Sequence, residues 1–218
     1  MKTNLFARIS VASALFLVFI GSAVAQNQGG FNKYEFFGGF SHNRVDTKLE
    51  SDDFETSEDF GSRIGTNGVN LQFTGNFTKY VGAKFDYAHH RKSDDFTFDG
   101  VTVDQKYTND SFMGGIQVKN NSKEGPRFKP FFHALAGVAR QKLNFVADSE
   151  DFDESVSQSN FTFALGGGLD IKASKRVDVR VFQFDYNPTY IKDFTVDGID
   201  FDGRMQNNFR FGFGIVIH

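Results

Sequence analysis

Residues 207–218 read NNFRFGFGIVIH. One parity carries Phe209, Phe211, Phe213, Ile215 and Ile217; the other carries Asn208, Arg210, Gly212, Gly214, Val216 and His218. Alternation is the period of a β-strand, whose successive side chains point to opposite faces. This strand gives one face to large apolar groups and the other to glycine and arginine, so its sheet separates two very different environments.

Two hairpins repeat the pattern. In 68–90, Val69, Leu71, Phe73 and Phe77 share a face with Val81, Ala83, Phe85 and Tyr87 across a turn at Thr78–Tyr80. Pairing Phe77 with Val81 sets Phe73 against Phe85 and Leu71 against Tyr87. Lys84 and Asp86 then fall on the polar side, and a one-residue slip would mix the two sets. In 160–181, Phe161, Phe163, Leu165, Leu169 and Ile171 share a face with Val177, Val179 and Val181 across Ala173–Lys175, with Asp170 a diagonal neighbour of Arg180. Further strands are expected at Lys33–Val45, Tyr107–Lys119, Arg127–Phe145, Arg176–Tyr190 and Asn207–Ile217, eight in all. The alternation slips near Phe182, as at a bulge, and PFFHALAGVAR (130–140) leaves its buried parity open.

The polar parity decides what solvent each face meets. It is rich in glycine (Gly39, Gly82, Gly115, Gly166, Gly168, Gly212, Gly214) and carries both signs of charge: Glu35, Lys84, Asp86, Asp170, Asp178, Arg180 and Arg210. Small residues beside paired charges suit a narrow interior. The 29 Phe of the chain exceed what a small barrel could enclose. The expected fold is therefore all-β, a closed eight-stranded antiparallel transmembrane β-barrel, apolar outside and polar inside. Closure follows because lipid cannot hydrogen-bond a free strand edge. The expected lipid face comprises Val69, Leu71, Phe73, Phe85, Phe161, Phe163, Leu165, Val177, Val179, Phe209, Phe211 and Phe213. Girdles at the membrane borders use Tyr80, Tyr87, Tyr186 and Tyr190, since the chain has no Trp. The mean hydropathy of −0.36 resembles that of a soluble protein only because alternation averages the two faces. A soluble barrel with its bulky residues inward is the competing reading.

The amino terminus reads as a targeting segment. Lys2 and Arg8 flank the start of an apolar run, Ile9–Ile20, and Ala23-Val24-Ala25 offers a cleavage site. The expected organisation is a cleaved signal peptide over 1–25 and a barrel domain over 26–218. Removing 1–25 takes away two basic and no acidic residues, which moves the formal charge from −3 to −5. With no Cys, disulfides and thiolate chemistry are excluded.

Connections alternate in length. Thr78–Tyr80 and Ala173–Lys175 are tight and Asn120–Pro126 is moderate, whereas Asp46–Gly65, His90–Asn109, Val146–Gln158 and Lys192–Gln206 are long. Short periplasmic turns and long extracellular loops are the bacterial arrangement. Of the 27 acidic residues 21 fall within 46–59, 94–110, 148–154 and 193–202, in or beside these long segments, while Lys79, Lys119, Lys123, Arg127, Lys129, Lys175 and Arg176 fall to the short turns. FTFDGVTVD (96–104) echoes FTVDGIDFD (194–202), and Asp-Gly between alternating residues signals a hairpin. Asp52, Asp53, Asp148, Glu150, Asp151 and Asp153 form a candidate cation-binding rim, since clustered carboxylates are hard-oxygen ligands; the plainer reading is an acidic surface that solvates the outer end.

YEFFGGFSHNR (34–44), FFHALAGVAR (131–140), VFQFDYNPTYI (181–191) and the closing NNFRFGFGIVIH together resemble the small outer-membrane β-barrels of the OmpA-like and OmpX-like group. The resemblance covers roughly 30–218 and implies residence in the outer membrane of a Gram-negative bacterium. It implies contact with membrane lipid and lipopolysaccharide, and with periplasmic chaperones and the barrel-assembly machinery during biogenesis. Chains of that group usually end in an aromatic residue read by the machinery. Here His218 stands last, and Phe211 and Phe213 keep the alternating signal. No peptidoglycan-binding domain is expected after the barrel.

The expected role is structural or surface-interactive: adhesion or ligand recognition through the acidic loops, by a monomer without catalysis, cofactor or nucleic-acid partner. A narrow passive ion channel is the first alternative, although eight strands leave an interior just wide enough for side chains. A lipid A-modifying enzyme is the second, for which His90 with Ser93 and Asp94 is the weak candidate constellation.

Overall fold

The computed structural model describes residues 30–46, 63–98, 101–147, 153–196, 199–201 and 203–218. In chain order the strands are β1 (Tyr34–Asp46), β2 (Arg63–Asn76), β3 (Val81–Phe98), β4 (Val101–Lys119), β5 (Phe128–Ala147), β6 (Asp153–Lys172), β7 (Val177–Tyr186), β8 (Thr189–Ile191), β9 (Phe194–Val196), β10 (Ile199–Phe201), β11 (Arg204–Gln206) and β12 (Phe209–Ile217). β1 to β6 each pair antiparallel with the next, β7 pairs with β12, and β12 pairs with β1. Eight long strands thus close on themselves. The small β8 and β11 pair with each other above β7 and β12, and β9 and β10 form a separate hairpin.

Local chemistry sets the hairpins. Thr78 Oγ1 accepts from Val81 N at 3.0 Å, and Ser174 Oγ accepts from Val177 N at 3.1 Å, so two tight turns share one side-chain-to-backbone closure. Leu71 faces Tyr87 and Phe73 faces Phe85 across β2 and β3, the register that keeps the apolar sets together. Near Phe182 the ladder skips: Leu169 pairs with Phe182 but Asp170 with Arg180. Val181 and Phe182 both point outward, so Asp178 and Arg180 below the bulge and Gln183 and Asp185 above it all point inward.

Several sequence-based boundaries change. The expected strand Arg176–Tyr190 breaks at Asn187 and Pro188. Pro188 has no N–H for the ladder, and Asn187 turns its amide to Thr162 Oγ1 (3.0 Å) and Phe163 O (2.8 Å). The expected loop His90–Asn109 is an extended hairpin running to Phe98 and Val101, with the Asp-Gly step between them outside the described residues. The expected loop Val146–Gln158 largely belongs to β5 and β6, which pair out to Val146 and Asp153.

Outside, apolar and aromatic groups form a continuous band. Phe213, Phe211, Phe161, Leu165, Phe85 and Val69 are exposed. At the short-turn end Phe77 and Phe132, each 70 % exposed, stand with Tyr80 and Phe128 at the border. At the long-loop end Tyr87 packs on Phe112 (4.8 Å), Tyr190 on Phe161 (6.0 Å) and Tyr186 on Phe209 (5.6 Å). Inside, the parity left open in β5 is Lys129, Phe131, His133, Leu135 and Ala139.

Glycine makes room for two interior rings. A Cβ on Gly168 would lie 2.2 Å from the carbonyl oxygen of Phe182 and 2.9 Å from the Phe131 ring, and one on Gly214 2.4 Å from that of Gly38 and 2.9 Å from the Phe37 ring. Gly168→Val is expected to cost about 1–3 kcal/mol through overpacking; the unfolding midpoint of the heat-modifiable folded band reads it, and an unchanged midpoint would show that both the Phe131 ring and the β7 backbone have space to yield.

Candidate functional site

The barrel axis is occupied by charge. Glu35, Asp86, Asp170, Asp178 and Asp185 face Lys84, Lys119, Lys129, Arg180 and Arg210, each at most 2 % exposed. These carboxylates are five of the seven acidic residues outside the long loop segments, Asp110 and Glu124 being the others. Buried charge of one sign demands the other, and the pairs are stacked in tiers.

At the tier nearest the short turns Lys119 Nζ donates to Glu35 Oε2 at 2.6 Å and Asp170 Oδ2 at 2.9 Å. Lys129 Nζ lies 2.7 Å and His218 Nε2 2.8 Å from Asp178 Oδ2. In the next tier the Arg180 guanidinium is sandwiched between the rings of Phe37 (4.3 Å) and Phe131 (4.1 Å). Its edge forks onto Asp170 (Nε 2.8 Å, Nη2 3.1 Å), while Nη1 donates to Gln72 (2.6 Å) and Gln183 (2.8 Å). The faces are thus used for cation–π contact and the rim for hydrogen bonds, a combination that lysine cannot reproduce.

Above it Arg210 forks onto Asp86 (2.8 and 3.1 Å) and also reaches Asp185 Oδ2 at 2.7 Å. His133 Nε2 lies 2.9 Å from Asp185 Oδ1 and His133 Nδ1 lies 3.1 Å from Lys84 Nζ. The tautomer protonated at Nε2 satisfies both contacts, donating to the carboxylate and accepting from the ammonium. Asn70 and Gln72 complete the coordination of Asp86 at 3.1 and 2.8 Å.

All seven charges singled out in the sequence therefore lie inside. Glu35, Asp170 and Arg180 meet around Lys119; Asp86 and Arg210 meet beside Lys84; Asp178 is held by Lys129. Two residues assigned to the short turns belong elsewhere: Lys119 and Lys129 end β4 and begin β5 on the inward parity and are buried. The alternation Gly115, Gln117, Lys119 could have placed the first. Asp185 escaped notice because the bulge at Val181 and Phe182 reverses the parity that leads to it. Asp170 and Arg180 are direct ladder partners, not diagonal ones, because the turn between β6 and β7 is wider than Ala173–Lys175: Ala173 N donates to Val177 O, and Lys172 pairs with Asp178.

The twelve expected lipid-facing residues all lie on the outward parity. Of the candidate rim, Asp52, Asp53, Asp148, Glu150 and Asp151 lie outside the described residues; Asp153 starts β6 and its side chain is likewise outside them. The constellation His90, Ser93 and Asp94 is not brought together. His90 points inward and bonds Ser41 Oγ at 2.8 Å, while Asp94 pairs with Lys92. His89 takes the outward face, 2.8 Å from Asp110.

A closed barrel of eight antiparallel strands, apolar outside and ionic inside, is the architecture of a small integral outer-membrane protein. The outer membrane protein beta-barrel domain matches residues 11–215, and the chain belongs to that family. Among solved structures it is similar to OprG of Pseudomonas aeruginosa (14 % identity, 84 % of this chain and 94 % of that one, TM-score 0.50). It is also similar to Ail of Yersinia pestis, solved in complex with the heparin analogue sucrose octasulfate (19 %, 84 % and 97 %, 0.49), and to the outer membrane protease OmpT of Escherichia coli (8 %, 88 % and 99 %, 0.47). At these identities the likeness concerns the fold. No protein of curated function matches the chain in sequence. The chain is an outer-membrane β-barrel protein.

Proposed function

We propose that this protein is a sealed membrane anchor that presents its acidic extracellular loops to partners outside the cell, with no catalytic role. The filled ionic lumen carries the reading. The Arg180 guanidinium clamped between Phe37 and Phe131 lies across the path that a solute would follow. The long strands of β3 to β6 lift loop segments away from the membrane, and the sequence concentrates carboxylates there. Export through a cleaved signal peptide over 1–25, and assembly through chaperones and the barrel-assembly machinery as a monomer, belong to the same reading. So does cation binding at the rim of Asp52, Asp53, Asp148, Glu150, Asp151 and Asp153.

Planar-bilayer recording is the first test. The wild-type protein is expected to give no sustained conductance, whereas Arg180→Ala, which empties the space between the two rings, is expected to give measurable ionic current. Sustained conductance by the wild-type chain would replace this reading with the narrow channel. Excision of 148–152 is expected to reduce binding of divalent cations or of extracellular matrix while the heat-modifiable mobility of the barrel persists; binding unaffected by that excision would remove this loop from the recognition role.

A further inference from the structure

Residues 30–33 do not begin the barrel wall; they cross its mouth. Around the ring the order is β1, β2, β3, β4, β5, β6, β7, β12, so the turn joining β4 to β5 stands opposite β1. Phe31 nevertheless bridges Ser122 in that turn. Asn32 N donates to Asn121 O at 2.9 Å, and Lys123 N donates to Gly30 O at 3.1 Å. The two bonds flank the Phe31–Ser122 pair as in an antiparallel ladder. Four extended residues reach about 13 Å, and an eight-stranded barrel is only wide enough inside for side chains. A segment ahead of a first strand is ordinarily loose unless something ties it down; this one is tied on both sides of the ring.

The crossing residues also reach the ionic tier behind them. Asn76 N donates to Lys33 O at 2.7 Å, and Asn76 Nδ2 donates to Asn32 O at 2.8 Å. The same Nδ2 lies 3.3 Å from Glu35 Oε1, and Glu35 Oε2 accepts from Lys119 Nζ at 2.6 Å. A continuous chain of contacts thus runs from the crossing segment through one amide to the cluster of Lys119, Glu35 and Asp170. Asn32, Asn76, Asn121, Glu35 and Lys119 are all buried. Lys172 Nζ donates to Lys123 O at 2.6 Å and holds the turn from β6. Charged groups attract each other more strongly where water is excluded, so whatever covers the mouth helps to hold this cluster.

We infer that residues 30–33 are a closing strap. Docked on the β4–β5 turn, they seal the short-turn mouth and keep water from Lys119, Glu35 and Asp170; released, they open it. The bonds to the turn use backbone groups of Gly30, Asn32, Asn121 and Lys123, so docking depends on the path of the chain more than on its side chains. The strap is separate from the Arg180 clamp, which lies one tier further in. Arg180→Ala leaves the strap docked, and release of the strap leaves the guanidinium between its rings, so neither closure depends on the other.

The chain has no Cys, so Phe31→Cys with Ser122→Cys introduces its only thiols, at a Cα separation that a disulfide spans when the strap is docked. In the folded barrel in detergent, mild oxidation is expected to join them at least about tenfold faster than Phe31→Cys with Lys175→Cys, which puts the second thiol on another turn. Amine acylation read by mass spectrometry tests the seal. Lys123 is the second residue of a turn closed by Gly125 N donating to Ser122 O at 3.0 Å, a position where proline fits. Lys123→Pro therefore keeps the turn but removes the donor to Gly30 O. It is expected to speed acylation of Lys119 about fivefold, while Lys84, deeper in the lumen, stays protected. Lys123→Gln removes the same charge, keeps the N–H and is expected to match wild type. Cross-linking no faster than in the Lys175 pair, Lys119 labelled alike in Lys123→Pro and wild type, or equal acceleration in Lys123→Gln would overturn the inference. If Lys123→Pro does not fold, Asn32→Pro, which removes the donor to Asn121 O, decides the matter; unchanged labelling of Lys119 there would also overturn it.

Discussion

Arg210→Ala is expected to lower the stability of the folded barrel by about 3–5 kcal/mol, the cost of removing one partner from a buried ion pair. Its guanidinium holds both Asp86 and Asp185, which are fully buried. After truncation the two carboxylates remain in the lumen with only Lys84, His133 and neutral amides nearby. Arg210→Lys should fall between the two, since an ammonium cannot fork onto Asp86 while reaching Asp185. Adding Asp86→Asn to Arg210→Ala should recover part of the loss by removing one stranded charge. Denaturant titration of heat-modifiable mobility, on protein refolded in one detergent, reads all three variants against wild type. An Arg210→Ala midpoint equal to wild type would mean that water, not the guanidinium, neutralises these acids.

One residue further along β12 the same side chain has the opposite effect. Phe211→Arg is expected to cost about 2–4 kcal/mol if it lies near the bilayer midplane, because an arginine on the lipid face must desolvate or snorkel. Phe211 is 47 % exposed, packs against Phe184 at 4.8 Å, and faces away from the lumen. The expected outcome is a reduced folded fraction and lower membrane yield, measured by the ratio of heat-modified to unmodified bands. Normal assembly of Phe211→Arg would be evidence that the outward parity of β12 does not meet hydrocarbon. The pair of variants also separates two kinds of damage. Loss at Arg210 is repaired by removing a lumen acid, whereas loss at Phe211 is not.

Much of this was legible because barrel physics is written in a period of two. The hairpin 68–90 predicts its own register, since only one alignment places Phe73 against Phe85 and keeps Lys84 and Asp86 together. The Asp-Gly steps after Phe98 and Val196 predict hairpins, and the described strands run up to both. Where the period fails, so does the reading. Val181 and Phe182 share a face, and Asp185 beyond them reaches the lumen only through that bulge; the Asp170–Arg180 pairing was missed because the turn between β6 and β7 is wider than Ala173–Lys175. In β5 small and large apolar residues occupy both parities, so Phe131 and Phe132 could not be told apart until closure set one against Arg180 and the other, 70 % exposed, outside.

Closure, the facing of the two parities and the concentration of acid in the long segments are properties of the sequence itself, because each follows from local alternation and turn chemistry. Which charge meets which, the sandwich of Arg180 between Phe37 and Phe131, and the docking of residues 30–33 on the β4–β5 turn required the tertiary structure. Those contacts join residues distant in the chain, Arg210 and Asp86 for example being 124 positions apart. Their partners are selected by the stagger of neighbouring strands around a closed ring, a quantity that no single strand contains.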